Sequence, residues 1–351
     1  MLNKRRLGCF LIATLLCTAA AGAQQNSPQN QPAGGRIHLD VVVAPKSGPP
    51  VGDLQQQDFT IEDNKAPQTI TSFAAVSGRQ APLEVVLVVD AVNTGYQRVS
   101  IERTEIGKFL RAEGGHLEYP TVIAVFTDKG IHTLGGFSND GNALGAALDE
   151  EDVALRSIVR STGFYGAAER VQLSLKALSQ LVAGEAARPG RKLILWVSPG
   201  WPLMSGANTA IDQEQHELIF ANIVTLSNQL LRSRVTLYSI DPLGSDESIS
   251  RVSSYKEFLK GISKPSQVYM GNLALQVLAV QSGGLALSLT NDIAGLLREC
   301  LADAAPYYEI TFDPPPATQR DEYHHMEIKL AKPELTARTR QGYYGQPSPH
   351  N

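Results

Sequence analysis

Residues 83–90 read LEVVLVVD, and every position except Glu84 and Asp90 is apolar. A strand covered on one face alternates apolar and polar residues, whereas a nearly continuous apolar run fits a strand buried on both faces of a parallel sheet. TVIAVFTD (121–128), KLILWVSPG (192–200), RVTLYSID (234–241) and GLALSL (284–289) share this character. Between them lie RVSIERTEIGKFLRAEG (98–114), YGAAERVQLSLKALSQLVAG (165–184), DQEQHELIFANIVTLSNQLLRS (212–233) and NLALQVLAVQSGG (272–284), whose apolar residues recur three and four apart, the helical spacing. Alternating strands and helices predict a three-layer, doubly wound, mostly parallel α/β unit over residues 80–305, because parallel neighbours need long right-handed crossovers. IHTLGGF (131–137) follows a tight turn and is expected to pair as an antiparallel edge strand.

Both ends of the chain read differently. RIHLDVVVAP (36–45) and DFTIEDNKAPQTITSFAAV (58–76) alternate as half-buried strands do, and so do YYEITFDPPP, HHMEIKLAKP and LTARTRQGYYG toward the C-terminus. The flanks 36–78 and 306–345 are therefore expected to combine into one accessory β-domain, a β-sandwich, since neither alone has enough strands to bury a face.

Ahead of them, MLNKRR, an apolar run and AGA before Gln24 form the pattern of a secretory signal over residues 1–23. The apolar run is shorter than a membrane span requires and no later segment approaches one, so the mature chain is expected to carry no integral membrane segment. Residues 24–35, QQNSPQNQPAGG, fit a disordered linker. Loss of Lys4, Arg5 and Arg6 with the signal moves the formal net charge from −4 to −7, which argues against a nucleic-acid partner. Cys9 and Cys17 leave as well, so Cys300 remains alone, no intrachain disulfide forms, and the core must hold the fold. Cys300 itself, within LLRECLADA, is expected to be buried. The expected location is secreted or periplasmic, in the cell envelope.

In an open α/β sheet, ligands bind beyond the carboxyl ends of the strands where strand order reverses. Asp90, Asp128, Ser198 and Asp241 end buried strands, which singles out the loops after Val89 and Val197. Asp128 and Asp241 read as structural helix or loop caps. At Asp90 the element order, the edge hairpin and the first loop resemble the von Willebrand factor A fold. The N-terminal flank, SGGLALSL with NDIAGLLREC, and the closing YYEITFDPPP...HHMEIKLAKPELTARTRQGYYG extend the resemblance, over residues 36–345, to the von Willebrand factor A-related proteins of acidobacteria.

That resemblance implies a metal-ion-dependent adhesion site in which hard oxygen ligands hold a divalent cation. Asp90 and Thr94 in DAVNT match its first and third loop positions and Thr162 matches its threonine, but Val92 replaces a serine and Pro199 stands where an aspartate belongs. The site is thus expected to be degenerate, with no cofactor. Asp90 is expected to accept loop N–H groups, with Asn93 and Thr94 making local turn bonds. Trp201, between Gly200 and Pro202, reads two ways: an exposed anchor for a partner, or a plug over the vacated pocket.

No nucleophile elbow, zinc-peptidase helix, phosphate-binding loop or dinucleotide fingerprint is present in the sequence. His324, His325 and Glu327 read as a solvated strand face, and the acidic run Asp149 to Asp152 as a solvated loop. The reading is a non-enzymatic module that binds a protein or cell-surface ligand through the rim of loops 90–98, 162–166 and 198–206. Asp90, Asn93, Thr94, Thr162, Ser198 and Trp201 are its candidate residues. A cation-dependent adhesin retaining a weak site at Asp90 is the alternative on the same fold, and a hydrolase with an unrecognised site the alternative from another class.

Overall fold

The computed structural model describes residues 35–78, 81–151, 163–201, 212–242, 255–288 and 290–347. The expected signal and all but the last residue of the expected linker lie outside the described residues. The chain opens with β1 (Ile37–Pro45), β2 (Phe59–Asp63), β3 (Ala66–Gln68) and β4 (Ile70–Val76). It continues through β5 (Leu83–Asp90), α1 (Tyr96–Arg111), β6 (His116–Thr127), β7 (Gly130–Asp140), α2 (Gly141–Glu150) and α3 (Gly163–Glu185). Then come β8 (Arg191–Val197), α4 (Gln213–Arg232), β9 (Val235–Ile240), α5 (Leu275–Gln281), β10 (Ala286–Leu287) and α6 (Ile293–Ala302). β11 (Tyr307–Phe312), β12 (Glu322–Leu330), β13 (Leu335–Arg338) and β14 (Gly342–Gly345) close it.

Six strands form the central sheet in the order β10-β9-β8-β5-β6-β7. All pair in parallel except β7, which runs antiparallel to β6 as the hairpin at 131–137 predicts. The chain winds outward from β5 in one direction and returns to β8 on its other side, so the switch point lies between β5 and β8. The twofold alternation of a strand sends Val86, Val88, Ile194 and Trp196 to the face covered by α3, α4 and α5. Val85, Leu87, Val89 and Leu195 meet α1, α2 and α6 on the other. This is the three-layer α/β arrangement that the sequence and its resemblance imply. Cys300, on α6, is buried in this second cluster, as its place in LLRECLADA predicts.

The remaining strands form two four-stranded antiparallel sheets, β13-β1-β11-β4 and β14-β12-β2-β3. Each sheet draws strands from both ends of the chain: β1 lies between β11 and β13, with Ile37 opposite Phe312 and Val42 opposite Arg338. The sheets share one core containing Leu39, Val41, Phe59, Ile61, Tyr308 and Ile310. Arg234 ties this core to the α/β unit by reaching Asp40 (2.5 Å) and Glu309 (2.6 Å). The Tyr344 hydroxyl does the same by donating to the carbonyl of Ile262 (2.9 Å).

Two expectations are corrected. Asp149 and Glu150 end helix α2 rather than standing in a loop. Asp140 caps that helix by accepting from the Ala143 N–H (3.0 Å), Asp149 pairs with Arg111 and Glu151 with His132; the two glycines of GNALGAALDE had masked the helical pattern. His324 is 4% exposed, not solvated, and its Nδ1 faces Asp63 at 2.9 Å. The expectation of a solvated face holds for His325 and Glu327.

Candidate functional site at the strand ends

β5 and β8 run in register, with Val89 beside Val197, so Asp90 and Ser198 emerge side by side at the switch point. Trp196, two residues before Ser198, projects to the same face of the sheet. The Asp90 carboxylate is 0% exposed. Its Oδ1 accepts from the backbone N–H groups of Val92 (3.0 Å) and Asn93 (2.9 Å). Its Oδ2 accepts from the Asn93 amide (2.8 Å), the Trp196 indole (3.1 Å) and the Ser198 hydroxyl (2.7 Å). A carboxylate offers about four lone-pair sites, and five donors occupy them.

The donors are themselves held. The Asn93 amide also reaches the Ser174 hydroxyl of α3 (3.0 Å), and the Ser198 oxygen accepts from the Gly200 N–H (3.0 Å). Gly200 has φ +82, and a Cβ there would stand 2.7 Å from Gln276, which donates to the Pro199 carbonyl (3.1 Å). The turn after β8 therefore needs glycine at this position.

Trp201 is 3% exposed. Its ring meets Trp196 edge-on with centroids 5.8 Å apart, and its indole N–H donates to the Leu273 carbonyl (2.6 Å). Of the two alternatives for this residue, the structure shows the buried one. As an exposed anchor Trp201 is corrected: a large ring with a carbonyl waiting for its N–H gains more from burial than from solvent. Val92 is buried in the same apolar cluster.

The structure thus brings Asp90, Asn93, Ser198 and Trp201 together. Thr94 is buried beside them, and Thr162 lies outside the described residues, as do residues 202–206 of the expected rim. Because Asp90, Thr94, Ser198 and Trp201 are buried, their side chains brace the rim from beneath.

Sequence reasoning missed two residues. Trp196 sits inside the apolar run KLILWVSPG, where nothing marks its indole N–H as a partner for a carboxylate two strand positions away. Glu102, on α1, is 0% exposed. Burial pushes its pKa well above the usual carboxylate range, and Asp90 and Asp241 push the same way. The nearby Thr94 hydroxyl and Arg98 oppose the shift. Glu102 interrupts an apolar stripe at helical spacing between Val99 and Ile106, which was the available signal.

Fold and site together define a doubly wound α/β unit, with a buried, hydrogen-bonded Asp90 at its switch point, joined to a β-sandwich built from both flanks. No protein-family model matches the sequence, and no curated protein matches it significantly. Among solved structures, the chain is similar to proximal thread matrix protein 1 from the mussel byssus, at 13% identity and TM-score 0.32, covering 66% of this chain and 49% of that one. It is similar to the pilus adhesin SpaC from Lactobacillus rhamnosus GG at 9% identity and TM-score 0.38, covering 84% and 48%. Similarity to the SpRpn10 VWA domain is at 12% identity and TM-score 0.28, covering 63% and 96%. The chain spans about half the length of the mussel and pilus proteins. At these scores the likenesses assign no site residue.

Proposed function

We propose that the chain is an exported, non-enzymatic protein-binding module of the adhesion type, an acidobacterial-type von Willebrand factor A relative whose metal site is replaced by a hydrogen-bonded plug. The single observation that carries this reading is the Asp90 carboxylate, whose lone pairs are taken by five protein donors. A divalent cation needs several oxygen ligands. To reach Asp90 it must displace the Trp196 and Ser198 donors and overcome the apolar Val92 side chain. The N-terminal signal pattern supports export to the envelope or beyond.

In this reading Asp90, Asn93, Thr94 and Ser198 hold the backbone of the rim in one shape, and a protein or cell-surface ligand meets that rim without a cation bridge. The test is to crosslink the mature chain to its envelope partner, then measure the affinity of the purified pair in EDTA and in millimolar Mg²⁺. Equal affinities are expected. An affinity that collapses in EDTA and returns with Mg²⁺ assigns the chain to the cation-dependent adhesins instead.

A further inference from the structure

An exposed sheet edge presents unpaired backbone N–H and C=O groups, and natural proteins shorten, charge, kink or cover such edges. Among the described residues the three sheets have six edges. β10 has two residues and β3 three, with Pro67 at its centre. β14 is four residues long, and its Tyr344 packs on Phe220 of α4. β13 is equally short and ends in Arg338, which is ion-paired to Asp303. β7 carries His132 and Asp140, and Gly135 at φ +75 interrupts it where the register with β6 shifts.

β4 differs. Its seven residues, ITSFAAV, include no charge, proline or glycine. One side pairs with β11, and among the described residues no backbone group bonds to its other side. Phe73 turns inward onto Phe59 and Tyr308, while Thr71, Ser72, Ala74 and Ala75 stay exposed. The register shift opposite Thr311 and Phe312 touches only its first residues.

The edge leads to a cleft. Ser77 and Gly78, directly after β4, line a cavity of about 890 Å³ that also has apolar walls at Phe109, Leu117 and Leu301. Among the described lining residues are the carboxylates of Asp53, Glu113 and Glu118 and the basic side chains of Arg298 and His116; Asp53 lies 4.0 Å from the Lys332 ammonium, so the acidic character rests on Glu113 and Glu118. α1 and α6 both end at this cleft, with Ala112 and Ala302 in its wall, and helix carboxyl ends carry partial negative charge. This pole is opposite the sealed switch point, at the amino ends of β5 and β6.

We propose that β4 is a docking edge to which an extended segment of a partner protein adds as a fifth strand, with a basic end seated in the acidic cleft. Main-chain hydrogen bonds along the strand supply the attachment, and the cleft supplies the choice of charge. Seven residues give roughly 23 Å of edge. The carboxylates and helix carboxyl ends at the cleft select a basic extended segment as the occupant over a second copy of this chain, whose formal net charge is −4.

The probes are three ten-residue peptides of alternating threonine and valine: one with two lysines at one end, one with two glutamates there, and a lysine version N-methylated at every amide, so that neither of its edges can pair. Hydrogen exchange of the mature chain is followed by mass spectrometry. The lysine peptide is expected to slow exchange across residues 70–76 saturably, the glutamate peptide to need about tenfold more for the same protection, and the methylated peptide to give none. Absent protection at 70–76 overturns the edge, and so does equal protection by the methylated peptide. Equal potency of the lysine and glutamate peptides overturns the basic partner. A chain that is dimeric and already protected at 70–76 without peptide assigns the edge to a second copy and overturns the proposal too.

Discussion

Replacing Trp201 with alanine tests the plug at its largest member. The side chain is almost wholly enclosed, packs edge-on against Trp196 and meets the Leu273 carbonyl with its only polar group. Truncating a buried tryptophan costs about 3–5 kcal/mol, through lost transfer energy and the cavity left behind. The stranded Leu273 carbonyl adds about 1 kcal/mol or more. Against a typical total of about 5–15 kcal/mol, the urea midpoint of Trp201→Ala should fall steeply or the native state should disappear. Trp201→Phe separates the two contributions, since it keeps most of the ring but deletes the N–H, and should lose about 1–3 kcal/mol. Both are read from urea unfolding with the slope checked for constancy. A loss below about 1 kcal/mol for Trp201→Ala is what an indole in solvent would give, and it would refute the plug.

The other expectations concern the same site and the flanks. Ser198→Ala removes one donor to a buried carboxylate and should cost about 1.5–3 kcal/mol in the same assay; no change would mean that water replaces the hydroxyl. Glu102 has a native pKa above its unfolded value, so the stability favouring its protonated form is full below the unfolded pKa and is lost as pH rises through the native one. Glu102→Gln should flatten that decline and leave the protein more stable than wild type at neutral pH, and parallel stability-against-pH curves for the two proteins would contradict it. Deleting residues 306–351 removes β11 to β14, between and beside which β1, β2 and β4 lie, and should make residues 37–76 sensitive to protease. A resistant N-terminal flank in that truncation would show that it folds without its partners.

The central sheet was legible because a strand buried on both faces has no need of polar residues: LEVVLVVD and KLILWVSPG name their own layer. The flanks were legible as strands, and their shortage of neighbours suggested pairing across the chain, though not that β1 would sit between two C-terminal strands. The site was legible only in part. Asp90, Asn93 and Ser198 follow from local turn chemistry and strand position. The fate of Trp201 depends on a carbonyl 72 residues further on, and the Asp63–His324 pair joins residues 261 apart. Such contacts depend on tertiary packing and leave no periodic trace, so His324 looked like an ordinary strand residue and Trp201 stayed undecided between solvent and core.

The most direct measurement is the melting temperature of residues 24–351 across a titration with Mg²⁺, Mn²⁺ and Ca²⁺, alongside Asp90→Asn. A cation bound only to the native state stabilises it by mass action, about 2.7 kcal/mol at a hundredfold excess over its Kd, which is easily read as a shift. With five donors already on the Asp90 carboxylate, no saturable shift is expected for any of the three ions. A saturable rise in wild type that disappears in Asp90→Asn would contradict the sealed site and restore the cation to the centre of its function.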